Sequence, residues 1–88
     1  MEETIRLSDV ANQLNVISWD ILILLSQSKN VSYTELRKAL SVSQDKCSRE
    51  IARLEGALLI KSESDPHDNR ALLFNLSENG LNILKYKK

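Results

Sequence analysis

The chain has 88 residues, 42% of them hydrophobic and 27% charged, and this length predicts a single domain that spans residues 1–88. Cys47 is the only cysteine and His67 the only histidine, which excludes an intramolecular disulfide and a structural zinc site; neither a metal nor another cofactor is expected. The longest apolar run, Ile21 to Leu25, is far shorter than the roughly 20 apolar residues of a membrane span. We therefore expect a cytoplasmic protein without a membrane partner.

The charge is unevenly distributed, although the net charge is zero. Residues 36–53 carry five basic against two acidic side chains, whereas residues 1–35 and 54–84 each carry five acidic against two basic ones. The last residues add three lysines. A local positive field attracts a polyanion whatever the total charge is, so the basic stretch is the place to look for a nucleic-acid contact.

The first third of the chain has a helical pattern. Its apolar side chains recur at steps of four and three, at Val10, Leu14, Ile17, Ile21 and Leu24. Ser8 and Ser18 both fit the N-cap preference. The pattern therefore predicts two helices, over about residues 9–14 and 19–27, or a single continuous helix.

The middle of the chain predicts a helix-turn-helix over about residues 33–55. Ser32 and Glu35 form a capping box that begins the first helix. The turn at residues 41–43 leads into a second helix that Ser43 caps. The buried face of this second helix is expected to consist of Cys47, Ile51 and Leu54, at i, i+4 and i+7.

A β-hairpin is predicted directly after these helices, over about residues 58–76. Its strands are expected at about 58–63 and 71–76, on either side of the turn-forming residues 65–69, and residues 30–31 favour a stub of strand. Ser77 then caps a last helix over about residues 77–86. The predicted fold is mainly α with a small β-hairpin: a winged helix-turn-helix with a three-helix core, a two-stranded wing and a C-terminal helix.

The second helix of the pair exposes a polar face opposite its apolar side. Gln44 can pair with the donor and acceptor of adenine, Arg49 with guanine, and Ser48 with either kind of group. Asp45 can accept from cytosine. Phosphate contacts are expected from Lys46, Arg53, Arg37 and Lys38. The alternative interpretation is a solvated helix face that binds nothing.

Two residues of the hairpin are further candidates. Arg70, beside the turn, suits the negative potential of a narrow minor groove, and its alternative is an ion pair with Asp65 or Asp68 that stiffens the hairpin. His67 contacts phosphate when protonated or is simply solvated.

The remaining polar and aromatic side chains favour structural roles. Cys47 lies on the inward face, which favours packing over redox sensing. Glu50 is expected to pair with Lys46 or Arg53 at helical spacing. The aromatic residues expected in the core or at a dimer interface are Trp19, Phe74 and Tyr86. No paired carboxylates, glycine-rich phosphate loop or nucleophile with its base can be identified, so we do not expect an enzyme.

Residues 16–84 resemble the MarR family of winged-helix regulators. Ser48-Arg49 with Arg53-Leu54-Glu55 is similar to the Thr-Arg and Arg-Leu-Glu pattern of that family's recognition helix. The segment Asp-Pro-His-Asp-Asn-Arg at 65–70 resembles its Asp-Pro-x-Asp-x-Arg wing, and Leu-Ser-Glu-Asn-Gly at 76–80 its Leu-Thr-x-x-Gly motif. The resemblance implies a dimer on a pseudo-palindrome, with one recognition helix per half-site and the wings in the flanking minor grooves.

The chain departs from the family pattern at three places. Leu58 stands where the family usually has glycine, so we expect a different helix end, with Gly56 as the stop. Asn69 replaces a wing arginine, which lowers the charge of the wing. The chain ends at Lys88, before the family's long C-terminal helices, so dimerisation is expected through the N-terminal segment, the last helix or both, and no small-molecule effector is predicted.

The leading hypothesis is therefore a homodimeric, sequence-specific regulator of transcription that binds double-stranded DNA. The alternative is a winged-helix module that binds protein without binding DNA, which the zero net charge and the acidic remainder of the chain permit.

Overall fold

The structure, a computed structural model, describes residues 7–87 without the side chain of Asn69. Two expectations therefore lie outside the described residues: that the side chain of Asn69 lowers the charge of the wing, and the part of the dimer prediction that concerns residues 1–6. The winged helix-turn-helix architecture is confirmed, with five α-helices and a small antiparallel sheet in the described part of the chain. None of the helices within residues 7–87 is long and apolar enough to cross a membrane.

The first apolar stripe forms two helices, α1 (Leu7–Gln13) and α2 (Val16–Gln27). Helix α2 begins after Asn15, whose side-chain oxygen accepts a hydrogen bond from the backbone N–H of Ser18 at 2.9 Å. Both predicted N-caps are wrong: Ser8 lies inside α1, and Ser18 is buried in the first turn of α2. Asparagine is as good an N-cap as serine, and Asn15 satisfies the free backbone N–H of Ser18, three residues later.

The helix-turn-helix consists of α3 (Tyr33–Leu40) and α4 (Gln44–Gly56). The predicted capping box at the start of α3 is present: Ser32 Oγ accepts from the backbone N–H of Glu35 at 3.1 Å, and Glu35 Oε1 accepts from the backbone N–H of Ser32 at 2.9 Å. Ser43 caps α4 as predicted. Local signals three residues apart fixed both of these helix starts.

The sheet has three strands, β1 (Val31–Ser32), β2 (Ile60–Asp65) and β3 (Asp68–Leu76), in the order β1-β3-β2. Strand β1 adds an edge to the wing hairpin by pairing Val31 with Phe74. The hairpin strands extend further toward the tip than predicted, because Asp65 pairs with Asp68 inside the predicted turn-forming segment. Strand β2 begins two residues later than predicted.

The end of α4 differs from the prediction, because Gly56 is helical and Leu58 takes the left-handed position with φ of 64°. The N–H of Leu58 donates to the carbonyl of Glu55, and the N–H of Leu59 to the carbonyl of Leu54, each at 3.0 Å. These two bonds form a Schellman motif, in which the left-handed residue is usually glycine. Leu54 and Leu59 are fully buried on either side of it, and this packing holds the backbone of Leu58 in a conformation that a leucine rarely adopts.

Helix α5 (Glu78–Ile83) follows the wing and ends in a 3₁₀ turn, Leu84–Tyr86. Ser77 caps it by accepting from the N–H of Gly80 at 3.0 Å, and the Ser77 hydroxyl donates to the carbonyl of Leu58 at 2.6 Å. A Cβ at residue 80 would lie 2.1 Å from the carbonyl oxygen of Leu59. Glycine is therefore needed where α5 packs against the backbone of Leu59, in the segment between α4 and β2.

A single apolar core joins these elements. Its largest fully buried side chains are Ile21, Leu22, Leu36, Leu54, Leu59 and Ile83. Of the three predicted core or interface aromatics, Phe74 is buried, Trp19 packs against the core from a half-buried position, and Tyr86 is 46% exposed. The core holds α3 and α4 against the sheet and so positions the exposed side of α4.

Candidate nucleic-acid interface

Helix α4 is buried on one side and exposed on the other. Cys47, Ile51 and Leu54 are in the core, as the spacing predicted. The side chains that α4 exposes to solvent include every predicted contact of this helix: Gln44, Asp45, Lys46, Ser48, Arg49 and Arg53. We call these six residues the α4 surface.

Two more of the predicted basic residues lie just before α4. Arg37 and Lys38 are exposed in the last turn of α3. Helix α3 then ends at Ser41, whose left-handed backbone with φ of 54° redirects the chain into α4. The structure thus places four predicted phosphate-binding residues on two consecutive helices, and His67 and Arg70 on the wing.

Tyr33 contacts the first turns of α4 and was not among the predicted site residues. Its hydroxyl lies 3.1 Å from the carbonyl oxygen of Gln44 and 2.9 Å from Ser48 Oγ. Helical periodicity describes each helix by itself and therefore misses this contact between α3 and α4. The only signal in the sequence is a tyrosine at the first position of α3, a place that faces the partner helix.

Glu50 is buried, which corrects the expectation of a surface ion pair. Only 4% of its area is exposed, because it lies three residues after Cys47 on the inward side of α4. Its carboxylate accepts hydrogen bonds from Asn15 Nδ2 at 3.0 Å and from the Ser18 hydroxyl at 2.9 Å. Of the two predicted ion pairs, the one with Arg53 is present, with Nη1 3.8 Å from Glu50 Oε2.

Burial raises the pKa of Glu50, but the hydrogen bonds from Asn15 and Ser18 and the charges of Arg53 and Lys46 outweigh this effect. The net pKa is therefore lowered from the ordinary value of 4.5, and the group is an anion at neutral pH. This buried anion joins the start of α2 to the middle of α4.

Cys47 has the properties of a packing residue. Burial raises the pKa of its thiol and outweighs the opposite effects of the nearby Tyr33 hydroxyl and the charge of Arg37. A fully buried neutral thiol is a poor nucleophile. Among residues 7–87, no group of three or more histidine, cysteine, aspartate or glutamate side chains is placed to hold a metal ion.

The tip of the wing is built by two aspartates. Asp65 Oδ1 accepts from the backbone N–H of His67 at 2.8 Å, and Asp68 Oδ1 accepts from the backbone N–H of Arg70 at 3.0 Å. This i to i+2 bonding gives a physical reason for the Asp-Pro-x-Asp-x-Arg pattern. Arg70 Nε lies 3.8 Å from Asp68, but its side chain is 95% exposed, so the pair contributes little to stability and leaves the guanidinium accessible.

An exposed polar helix following a tight turn, with a three-stranded wing beside it, defines a winged helix-turn-helix protein. The sequence model of the MarR family matches residues 14–72, and the chain belongs to the MarR family.

Several solved structures share this fold. The adhesin competence repressor AdcR from Streptococcus pyogenes is 32% identical with a TM-score of 0.77, and the match covers 83% of this chain and 53% of that one. A probable transcriptional regulator from Pseudomonas aeruginosa is 27% identical with a TM-score of 0.79, and the match covers 84% of this chain and 56% of that one. A mutant of MarR from E. coli, solved with operator DNA, is 22% identical with a TM-score of 0.78, and the match covers 90% of this chain and 58% of that one. The matches thus span little more than half the length of these three proteins. No curated protein matches the chain.

Proposed function

We propose that this chain is a sequence-specific regulator of transcription that binds double-stranded DNA as a homodimer in the cytoplasm and has no enzymatic activity. The observation that carries the proposal is the α4 surface, where every predicted contact of the helix is exposed while its other side is fixed in the core. Membership of the MarR family supports the same conclusion, as does the similar fold of a protein solved with operator DNA.

The first two turns of α4 contact bases in the major groove. Gln44 pairs with adenine, Arg49 with guanine, and Asp45 accepts from cytosine. Among the described residues Arg49 has no ion-pair partner, so its five N–H donors are available to a base edge. Ser48 lies one turn after Gln44 and contacts the same groove.

The basic residues around these readers contact phosphate and set the register of the helix on the duplex. Lys46 and Arg53 do so from α4, and Arg37 and Lys38 from α3. Arg53 can do this because its ion pair with Glu50 leaves half of its side chain exposed. The wing adds Arg70 in the minor groove and His67, when protonated, at a phosphate.

The proposed homodimer forms where α1, α2 and the last turn meet. Exposed Val16 and Tyr86, with half-buried Trp19, line a groove of about 380 Å³ there, and Asp20 and Lys87 lie in the same groove. A two-fold dimer brings the same surface of both copies together, so a groove that combines apolar side chains with both an acid and a base is suited to a second copy. Within residues 7–87, this region includes parts of both segments from which the sequence predicted dimerisation.

A salt titration tests the DNA-binding proposal. Fluorescence anisotropy with a sequence selected from a random duplex pool should show affinity that falls steeply with salt, and the slope counts the phosphate contacts. The second candidate is a protein-binding winged helix, which the acidic wing residues Glu63, Asp65 and Asp68 favour because they repel phosphate. Absence of salt-dependent binding to any duplex would contradict the first candidate and support the second.

A further inference from the structure

The hydrogen bond between Tyr33 and Ser48 has a direction that the surrounding groups fix. A phenol has a single proton to donate, and a backbone carbonyl only accepts. The Tyr33 hydroxyl lies 3.1 Å from the carbonyl oxygen of Gln44, and both of its hydrogen bonds can form together only if its proton goes to that carbonyl. The contact with Ser48 at 2.9 Å is then a hydrogen bond only if the Ser48 hydroxyl donates its own proton to the Tyr33 oxygen. A reversed direction would forfeit the bond to Gln44.

Three observations indicate that this arrangement is rigid. Tyr33 is the first residue of α3, directly after the capping box of Ser32 and Glu35. Its ring is half-buried and packs against the core. Gln44 and Ser48 are one turn apart on α4, so the phenol contacts two points of the same helix. The Ser48 hydroxyl is therefore oriented before any DNA is bound.

A serine hydroxyl whose proton is already donated offers only lone pairs to solvent. In the major groove, the hydrogen-bond donors are the N6 amino group of adenine and the N4 amino group of cytosine, whereas guanine N7 and O6 and thymine O4 are acceptors. Resting on the DNA-binding function proposed above, we propose that Ser48 reads DNA as an acceptor only and selects an exocyclic amino group. Tyr33 is the positioning residue that sets this polarity.

This inference narrows the sequence-based expectation for Ser48. A free serine bonds to donors and acceptors alike, and so it distinguishes bases poorly. With its proton held by Tyr33, Ser48 meets guanine or thymine edges as one acceptor against another. The Ser48 oxygen and the base acceptor then both lack a hydrogen-bond partner. The free-energy cost of these two unsatisfied acceptors disfavours guanine and thymine edges and so generates selectivity.

The test begins with duplexes selected by the wild-type chain from a random pool. The base pair read by Ser48 is the one at which Ser48→Ala loses discrimination. Every base pair carries one exocyclic amino group in the major groove, on its adenine or its cytosine, so the amino group of that pair is tested directly. Replacing that base with its analogue without the amino group, purine for adenine or 2-pyrimidinone for cytosine, should weaken wild-type binding about three- to tenfold, the usual range for one neutral hydrogen bond. The same replacement should leave the affinity of Ser48→Ala unchanged.

Tyr33→Phe removes the acceptor for the Ser48 proton and keeps the ring. Discrimination at that base pair should fall about three- to tenfold, while affinity for unselected DNA and the salt slope stay as in the wild type. A purely structural role of Tyr33 would lower affinity for all sequences together. Thermal unfolding shows whether this variant folds, and the analogue experiment on the wild type decides the polarity without it.

Three results would overturn the inference while DNA binding stands: full wild-type affinity for the analogue without the amino group at the pair that depends on Ser48, no change of preference in Ser48→Ala, or full discrimination in folded Tyr33→Phe. Failure of the wild type to select any sequence would instead overturn the proposed function itself.

Discussion

The Ser18 hydroxyl donates a 2.9 Å hydrogen bond to the carboxylate of Glu50, which lies 32 residues later in the chain. Both side chains are buried, and Asn15, the residue that caps α2, donates a second hydrogen bond to the same carboxylate. The orientation of α4 thus depends on a polar contact as well as on apolar packing. Because the anion is on the helix that carries the predicted base contacts, its loss is expected to affect stability and DNA affinity together.

Glu50→Gln should lower the free energy of unfolding by about 1–3 kcal/mol at about pH 7, because the new amide brings N–H donors toward Asn15 and Ser18, which are donors themselves. The folded-state pKa of Glu50 is lowered, so the carboxylate contributes stability above the unfolded value of 4.5 and loses it as the pH falls through the folded pKa. Urea unfolding at several pH values should therefore show the difference from wild type narrowing in acid.

The matched control for this variant is Asp45→Asn, an exposed acid on the same helix, with an expected change within about 0.5 kcal/mol. A difference between wild type and Glu50→Gln that persists unchanged well below pH 4.5 would show that the ionised form of Glu50 does not provide the stability.

The predictable parts of the fold are those that short-range signals encode. The capping box of Ser32 and Glu35, the cap at Ser43 and the buried spacing of Cys47 are all relations within one helix, and the structure contains them. The features that the sequence did not predict depend on contacts between residues far apart in the chain. A carboxylate such as Glu50 is buried only when a partner such as Asn15 meets it from a distant helix, and one sequence without the fold does not reveal such a partner.

Leu58→Gly should raise the free energy of unfolding by about 0.5–1 kcal/mol. The left-handed backbone costs a leucine about 1–2 kcal/mol, and part of that gain is offset by the greater freedom of glycine in the unfolded chain. Leu58→Ala is the control, because it removes the same exposed side chain but keeps the Cβ. If alanine stabilised as much as glycine in thermal unfolding, the exposed side chain and not the backbone would be responsible.

Gly80→Ala and Gly56→Ala should change stability in opposite directions. A methyl group at residue 80 would meet the carbonyl of Leu59, so the backbone must move, at an expected cost of about 3 kcal/mol. A methyl group at residue 56 meets nothing within 4 Å on a helical backbone, and alanine there should stabilise by about 0.5–1 kcal/mol. Equal effects of the two variants on urea midpoints would contradict the close approach of α5 to the backbone of Leu59.

If the proposed homodimer forms through this groove, Val16→Glu should convert it into a monomer without unfolding it. Val16 is 74% exposed in the single chain, so the fold tolerates a charge there, whereas a carboxylate buried in a two-fold contact repels its own copy. Sedimentation equilibrium measures the mass directly. Leu72→Glu is the control, since Leu72 is 45% exposed on the wing, outside the groove. A monomeric wild type would contradict the proposed dimer, and a dimeric Val16→Glu would locate its contact elsewhere.

Arg49→Ala and Lys46→Ala distinguish base recognition from phosphate attraction on the same helix. Arg49→Ala removes a proposed bidentate contact to guanine, so it should cost about 1–3 kcal/mol on the selected sequence and relax the preference at one base pair. Lys46→Ala removes a proposed phosphate contact, so it should weaken all sequences alike and reduce the salt slope by about one. Both side chains are exposed, so neither change should alter the free energy of unfolding by more than the roughly 0.5 kcal/mol typical of surface substitutions. Anisotropy titrations on selected and scrambled duplexes separate the two patterns. If both variants kept full affinity while folded, α4 would not be the helix that enters the groove.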